Sequence, residues 1–344
     1  MLPGDTRTAF RQISLGVKAY FEQQYRDEMQ RYEDSGRDGD EPNRNQFINK
    51  CMRQAADNPR SNRDFDILTR SSCFPHAAVL RRDGIVDNDE FLVTRLQGIA
   101  TAISRILHPD SLNQLPVAAV TALFRQSPFY AHRVKIREQS PKIAWVETYI
   151  RNLIAIRRAP RDSEEVLKRY GPAPPDNTNC RHALVLSDNP LSAYLSTMVL
   201  WDIFSREIES KTVIFLYAHS GISATGRAEY TRYMQQSCER TNIVKVLIST
   251  MDIFGVGHNL QRVNTAIITE VPSSHEKQKQ AFGRVDRKGQ TMTPLLYQLF
   301  DDENLAERVR MFRNKNRRFL ANQGHDDDDA GDLEQLLPPD DLGV

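Results

Sequence analysis

From Ala183 to Leu299 short apolar runs alternate with amphipathic segments, and this alternation constrains the fold more than any other feature. The segments Ala183–Leu186, Thr212–Tyr217, Val244–Ile248, Thr265–Thr269 and Leu295–Leu299 read as strands. Between them, Leu191–Phe204, Gly226–Gln236 and a segment near His275–Phe282 carry helical spacing. Strands that are apolar almost throughout must be hidden on both faces. Connected by helices, they predict an α/β fold whose mostly parallel sheet is covered by helices on both sides.

The first 135 residues read differently. From Thr8 to Tyr32 the positions Phe10, Ile13, Val17, Tyr20, Phe21, Tyr25 and Met29 recur near helical spacing, so an amphipathic helix is expected. Asp, Gly, Arg and Pro dominate Glu33 to Asn45, which predicts a flexible loop near 33–46. Helical signals resume at Gln46–Ala56 and again at Asp89–Leu107. The character changes after Ser140, where Ser140-Pro141-Lys142 opens an amphipathic run through Ile156 and Pro172 to Pro175 marks a loop. The expected organisation is a helical region over 1–135, an α/β domain over 140–323 and an acidic, disordered tail over 324–344.

Charge narrows the function classes only locally. Forty-six Lys and Arg nearly balance forty-five Asp and Glu, leaving a formal charge of +1, so no global signal for nucleic acid exists. The balance conceals a basic stretch, Arg308 to Arg318, followed by the acidic residues Asp326 to Asp329, Asp332 and Glu334. Cys51, Cys73, Cys180 and Cys238 are far apart and form no Cys-x-x-Cys pair, which argues against a zinc ribbon or a disulfide framework. No apolar run is long enough for a bilayer, and the N-terminus lacks the order of a secretory signal. An intracellular protein with no membrane partner is expected.

In open parallel sheets ligands gather at the carboxyl ends of the strands, so the residues after each predicted strand are candidates. His219-Ser220-Gly221, with Arg227 in the helix beyond, offers hydroxyl, amide and basic groups where a helix N-terminus favours phosphate. Ser249-Thr250 and then Gly255-Val256-Gly257-His258-Asn259-Leu260 offer hydroxyls and small residues that let backbone approach a ligand. Gln280-Ala281-Phe282-Gly283-Arg284-Val285-Asp286-Arg287-Lys288-Gly289-Gln290 places two arginines three residues apart, on one side of a helical turn, suited to charge on a phosphoryl group. Each motif alone also reads as an ordinary turn or a pair of surface salt bridges.

In this order and spacing they resemble the C-terminal lobe of the Swi/Snf family of superfamily-two helicase-related ATPases. Val246 to Thr250 through Leu260 is similar to that family's fifth motif, and Gln280 to Gln290 to its sixth. Ser140-Pro141-Lys142 resembles the start of the second lobe. Tyr297-x-Leu299 with Leu305-Ala-Glu307-Arg-Val309 resembles the strand and brace helix after motif six. Leu107-His108-Pro109 resembles an element between the lobes, and Leu2-Pro3 with the following helix the chain just after lobe one.

The resemblance implies a RecA-like sheet whose helical N-terminal region lies between lobes. It implies ATP with magnesium as cofactor, arginine fingers at Arg284 and Arg287, and a water- or γ-phosphate-positioning role for Gln280. Gly255, Gly257 and Asn259 would border the nucleotide, while His219, Ser220, Gly221, Arg227, Ser249 and Thr250 would face DNA phosphates or couple the two sites. Implied partners are double-stranded DNA or a nucleosome, and the implied location is the nucleus.

No Gly-x-x-x-x-Gly-Lys-Thr/Ser loop and no Asp-Glu-x-His box after a buried strand occurs in the 344 residues. A first RecA-like lobe, in cis or in trans, would therefore supply the phosphate loop and the magnesium ligands. Ile253-Phe254 stands where motif five usually has small residues, and Asp286 where motif six more often has His. The competing expectations are a non-catalytic DNA- or protein-binding module derived from such an ATPase, and a truncated product.

Overall fold

A computed structural model describes residues 4–37, 39–91, 93–114, 117–158, 182–236, 243–254, 260–290 and 293–323. Its centre is a five-stranded sheet formed by β1 (His182–Ser187), β2 (Val213–Ala218), β3 (Val244–Thr250), β4 (Val263–Ile268) and β5 (Leu295–Gln298). The strand order is β2-β3-β1-β4-β5, and every neighbouring pair is parallel.

All residues of β1 to β4 are buried, whereas β5 at the edge is partly exposed. Side chains alternate between the faces. Ala183, Val185, Phe215, Tyr217, Val246 and Ile248 enter one apolar cluster, while Leu184, Leu186, Ile214, Leu216, Leu247 and Ile268 enter a second. Burial on both faces is what makes the strands continuous apolar runs in the sequence. The α/β class, with helices covering both faces of a parallel sheet and a helical region before it, is the one expected.

That preceding region comprises α1 (Gly4–Asp34), α2 (Arg44–Asp57), α3 (Arg63–Arg70), α4 (Pro75–Arg82), α5 (Asn88–Phe91), α6 (Gln97–Ile106), α7 (Val117–Phe124), α8 (Pro128–Ala131) and α9 (Arg133–Glu138). Then follow α10 (Pro141–Arg158), α11 (Pro190–Ile203), α12 (Ser205–Glu209), α13 (Ala224–Gln235), α14 (Met251–Phe254), α15 (His275–Phe282) and α16 (Leu305–Gln323). The apolar face of α1, through Phe10, Ile13, Val17 and Phe21, packs on α3 and α4. Those residues join the same cluster as Phe74, Phe91, Phe129 and the first sheet face, so the helical region and the sheet share one continuous core.

The expected single helix over Asp89–Leu107 is instead two. Asp87 and Glu90 cap each other reciprocally, the Glu90 N–H donating to Asp87 Oδ1 (2.8 Å) and the Asp87 N–H to Glu90 Oε2 (3.0 Å), which begins a short helical turn. Val93 then turns left-handed at φ 66°, and α6 starts afresh at Gln97. α3 and α4 were absent from the sequence reading. Asn62 caps the first through a bond from the Phe65 N–H to its Oδ1 (2.9 Å), and Pro75 occupies the first turn of the second. The acidic segment 324–344 lies outside the described residues.

Candidate functional site

His219 follows β2 directly and is buried. Its Nδ1 accepts the Gly221 N–H (2.8 Å), which places the ring proton on Nε2, where it is donated to Thr101 Oγ1 (2.7 Å). Thr101 donates onward to the Gln97 carbonyl (2.7 Å). Burial lowers the imidazole pKa, so the ring is a neutral brace between the strand-end loop and α6. Gly221 permits this tuck, because a Cβ there would lie 2.7 Å from His219 Cε1. Ser220 and Gly221 remain exposed, and the Arg227 guanidinium donates to the Ile222 carbonyl (3.1 Å), bordering the loop.

Below this loop, α6 is anchored by two hydroxyls. Ser104 Oγ donates to the Tyr217 carbonyl (2.8 Å), and the Tyr230 hydroxyl bridges the carbonyls of Ser104 (3.0 Å) and Tyr217 (2.9 Å). Ser249 is fully buried and donates its hydroxyl to the Ala218 carbonyl (2.8 Å), tying β3 to the end of β2. Thr250 lines a cavity of about 210 Å³ with Thr94, Gln97, Tyr217, His219 and Ser220. Gly255, Gly257 and Asn259 lie outside the described residues.

The arginines of the third motif sit just beyond a helix rather than on its face. α15 begins at Ser274, whose Oγ accepts the Lys277 N–H (3.2 Å), and ends at Gly283, leaving Gln280 exposed. Arg284 and Arg287 follow in a turn. Arg284 is 7% exposed, whereas Arg287 is exposed and donates Nε to the Gly283 carbonyl (2.7 Å). Burial first, and the charge of Arg287 second, lower the Arg284 pKa, so the two guanidiniums feel one another.

The closing Gly-Gln makes the turn rigid. Gln290 donates Nε2 to the carbonyls of Val263 (3.1 Å) and Val285 (3.0 Å), and the Leu260 N–H donates to the Arg284 carbonyl (3.2 Å). Gly289 lies at φ 95°, in the left-handed region that favours glycine. The end of motif five and the turn of motif six are thus bonded directly.

The candidate residues fall into two groups. Val263, which anchors the arginine turn, pairs with His182 at the start of β1, while Thr250 pairs with Ser187 at its end and Ser249 with Ala218. Five strand steps separate these ends, roughly 16 Å at the usual rise. One phosphate cannot touch both groups. His219, Ser249 and Thr250 share the carboxyl end of the sheet, and the arginine turn lies by the opposite end of β4.

Sequence reasoning missed a buried charge network. Between β1 and β4, where connections depart in opposite directions, open sheets ordinarily bind ligands. Here α16 fills the position: Arg310 Nη1 donates to Asp188 Oδ2 (2.8 Å) and to the Val271 carbonyl (3.2 Å). The Glu270 carboxyl group accepts the N–H groups of Asp188 (2.7 Å) and Asn189 (3.1 Å), and at the network's rim the partly exposed Lys277 reaches the exposed Asp252 (2.8 Å). Lys142 donates to both oxygens of Glu307 (2.7 Å each). No local spacing signals such pairs, because the partners are tens to more than a hundred residues apart.

With this geometry in place, comparison with known proteins finds similarity over part of the chain. Residues 193–289, spanning α11 through the arginine turn, match the family described as the helicase conserved C-terminal domain. No curated protein matches the chain. Among solved structures, the C-terminal part of the Fun30 ATPase domain aligns with 90% of this chain and 85% of that one, at 13% identity and a TM-score of 0.42. The chain thus contains a segment similar to a helicase C-terminal lobe, and the arginine turn lies inside it. Among the described residues, no helix is long and apolar enough to cross a membrane.

Proposed function

We propose that this chain is the second lobe of a Swi/Snf-type DNA-dependent ATPase, a translocase or chromatin remodeller acting on double-stranded DNA or nucleosomes in the nucleus. A first RecA-like lobe, in cis or in trans, would grip the ATP phosphates and hold magnesium. Arg284 and Arg287 would then stabilise charge on the transferring phosphoryl group, with Gln280 placing the attacking water or the γ-phosphate. Gly255, Gly257 and Asn259 would border the nucleotide.

The observation that carries this reading is the rigid arginine turn. A largely buried guanidinium beside a second one concentrates positive charge in a geometry suited to a phosphoryl group, and the Gln290 bonds hold the turn that carries it. For DNA, Ser220, Gly221 and Arg227 are the accessible members of the strand-end group. His219, neutral and bonded at both nitrogens, would set the loop's shape rather than supply charge.

The test is ATP turnover of the chain joined to a Swi/Snf first lobe, with and without DNA. Arg284→Ala or Arg287→Ala is expected to lower turnover by about a thousandfold while leaving DNA affinity nearly unchanged. Unchanged turnover in either variant would remove the finger assignment. Salt-sensitive DNA binding with no turnover under any condition would establish the non-catalytic module instead.

A further inference from the structure

We propose that His108, Glu229 and Asp110 form a binding site for a divalent transition-metal ion, with zinc the best chemical match, fastening the helical region to α13. His108 Nε2 lies 3.0 Å from Glu229 Oε2, and Nδ1 lies 3.7 Å from Asp110 Oδ2. One ligand atom from each residue falls within 4.8 Å of the other two. Four-coordinate zinc, with bonds of about 2.0–2.2 Å, needs ligand atoms roughly 3.3–3.6 Å apart. The two contacts use different ring nitrogens, which point apart, so an ion bound through Nε2 beside Glu229 requires Asp110 to swing round from the Nδ1 side. Asp110, whose side chain is 64% exposed, has room to make that swing.

The histidine is already oriented. Its ring stands edge-on to Tyr230 (centroids 5.1 Å apart, planes at 89°), and the Tyr230 hydroxyl is itself bonded to Ser104 and Tyr217. Glu229 is the neighbour of Tyr230 on α13, so His108 packs against the helix that carries the second ligand. A cavity of about 510 Å³, bordered by Ser111, Ser223 and Thr225, opens beside His108 and Glu229 and leaves room for water to complete the coordination. An imidazole with two carboxylates favours zinc over magnesium, and the lack of sulfur disfavours copper(I).

The experiment titrates zinc chloride into the EDTA-treated full chain by calorimetry, with the thermal midpoint followed in parallel. One zinc per chain, bound at micromolar concentration or tighter, should raise the midpoint. His108→Gln and Glu229→Gln should each weaken binding at least tenfold, and Asp110→Asn, an exposed change expected to leave folding intact, should weaken it less. Cobalt(II) should give an absorption spectrum without a thiolate charge-transfer band, which separates this site from the free thiol of Cys51. Absence of zinc binding, binding unaltered in the variants, or a thiolate band would each overturn the proposal; a simple His108–Glu229 ion pair gives the first result.

Discussion

Replacing Lys142 with methionine removes one ammonium group while nearly conserving side-chain volume. In the folded chain that group lies 2.7 Å from both oxygens of Glu307, and the two side chains are only 6% and 3% exposed. Breaking such a pair from one side costs about 3–5 kcal/mol, because the remaining charge is buried without its partner. Glu307 would keep the N–H groups of Val271 (3.0 Å) and Asp301 (2.7 Å), which still stabilise a carboxylate. The lower end, about 3 kcal/mol, is therefore expected.

Urea unfolding followed by far-ultraviolet circular dichroism measures the loss. Glu307→Gln and the double variant complete a cycle, and the double variant should be more stable than the summed single effects by about 2 kcal/mol, within the range for contacting residues. A loss below about 1 kcal/mol for Lys142→Met, with no coupling, would show that the pair behaves as a solvated surface contact and would refute the reasoning. The outcome matters for architecture, since the pair joins Ser140-Pro141-Lys142 to α16.

Glu270 is buried at the end of β4, and desolvation pushes its carboxyl up to about 7 from 4.5. The folded chain holds a proton there that the unfolded chain releases, so this contribution to stability is present at low pH and lost as pH rises through about 7. Glu270→Gln should flatten the stability profile between about pH 5 and 7.5, and a slope unchanged from wild type would assign the titration elsewhere. Tyr230→Phe deletes the hydroxyl that bridges Ser104 and Tyr217. It should cost about 1–2 kcal/mol and speed amide exchange across α6, whereas unchanged exchange would mean that the hydroxyl does not hold that helix.

Much of the fold was legible because burial imposes pattern. β1 to β4 are hidden on both faces, so each appears as an apolar run, and all five expected strands coincide with observed ones within two residues at either end. The helix near His275–Phe282 has the expected bounds. α3 and α4, each of eight residues, escaped notice because little more than two turns is too short a run for apolar spacing to stand out. The break after Phe91 escaped for a different reason: it depends on a reciprocal cap and one left-handed valine, which hydrophobic spacing does not report. Likewise, the three-residue spacing of Arg284 and Arg287 suggested a shared helical face, but the helix stops at Gly283 and the arginines diverge in exposure.

By itself, the sequence determined the α/β class, the strand positions and the arginine-bearing motif, since local apolar periodicity and short motifs depend on residues near one another in the chain. Only the tertiary structure decided which candidates meet. It separated the His219–Thr250 group from the arginine turn by the length of a strand, neutralised His219 by burial while Thr101 and Gly221 oriented its ring, and filled the crevice between β1 and β4 with Arg310. It also paired Lys142 with Glu307 and His108 with Glu229. These outcomes depend on desolvation and on contacts between residues far apart in the chain, and neither exists until the helices close over the sheet.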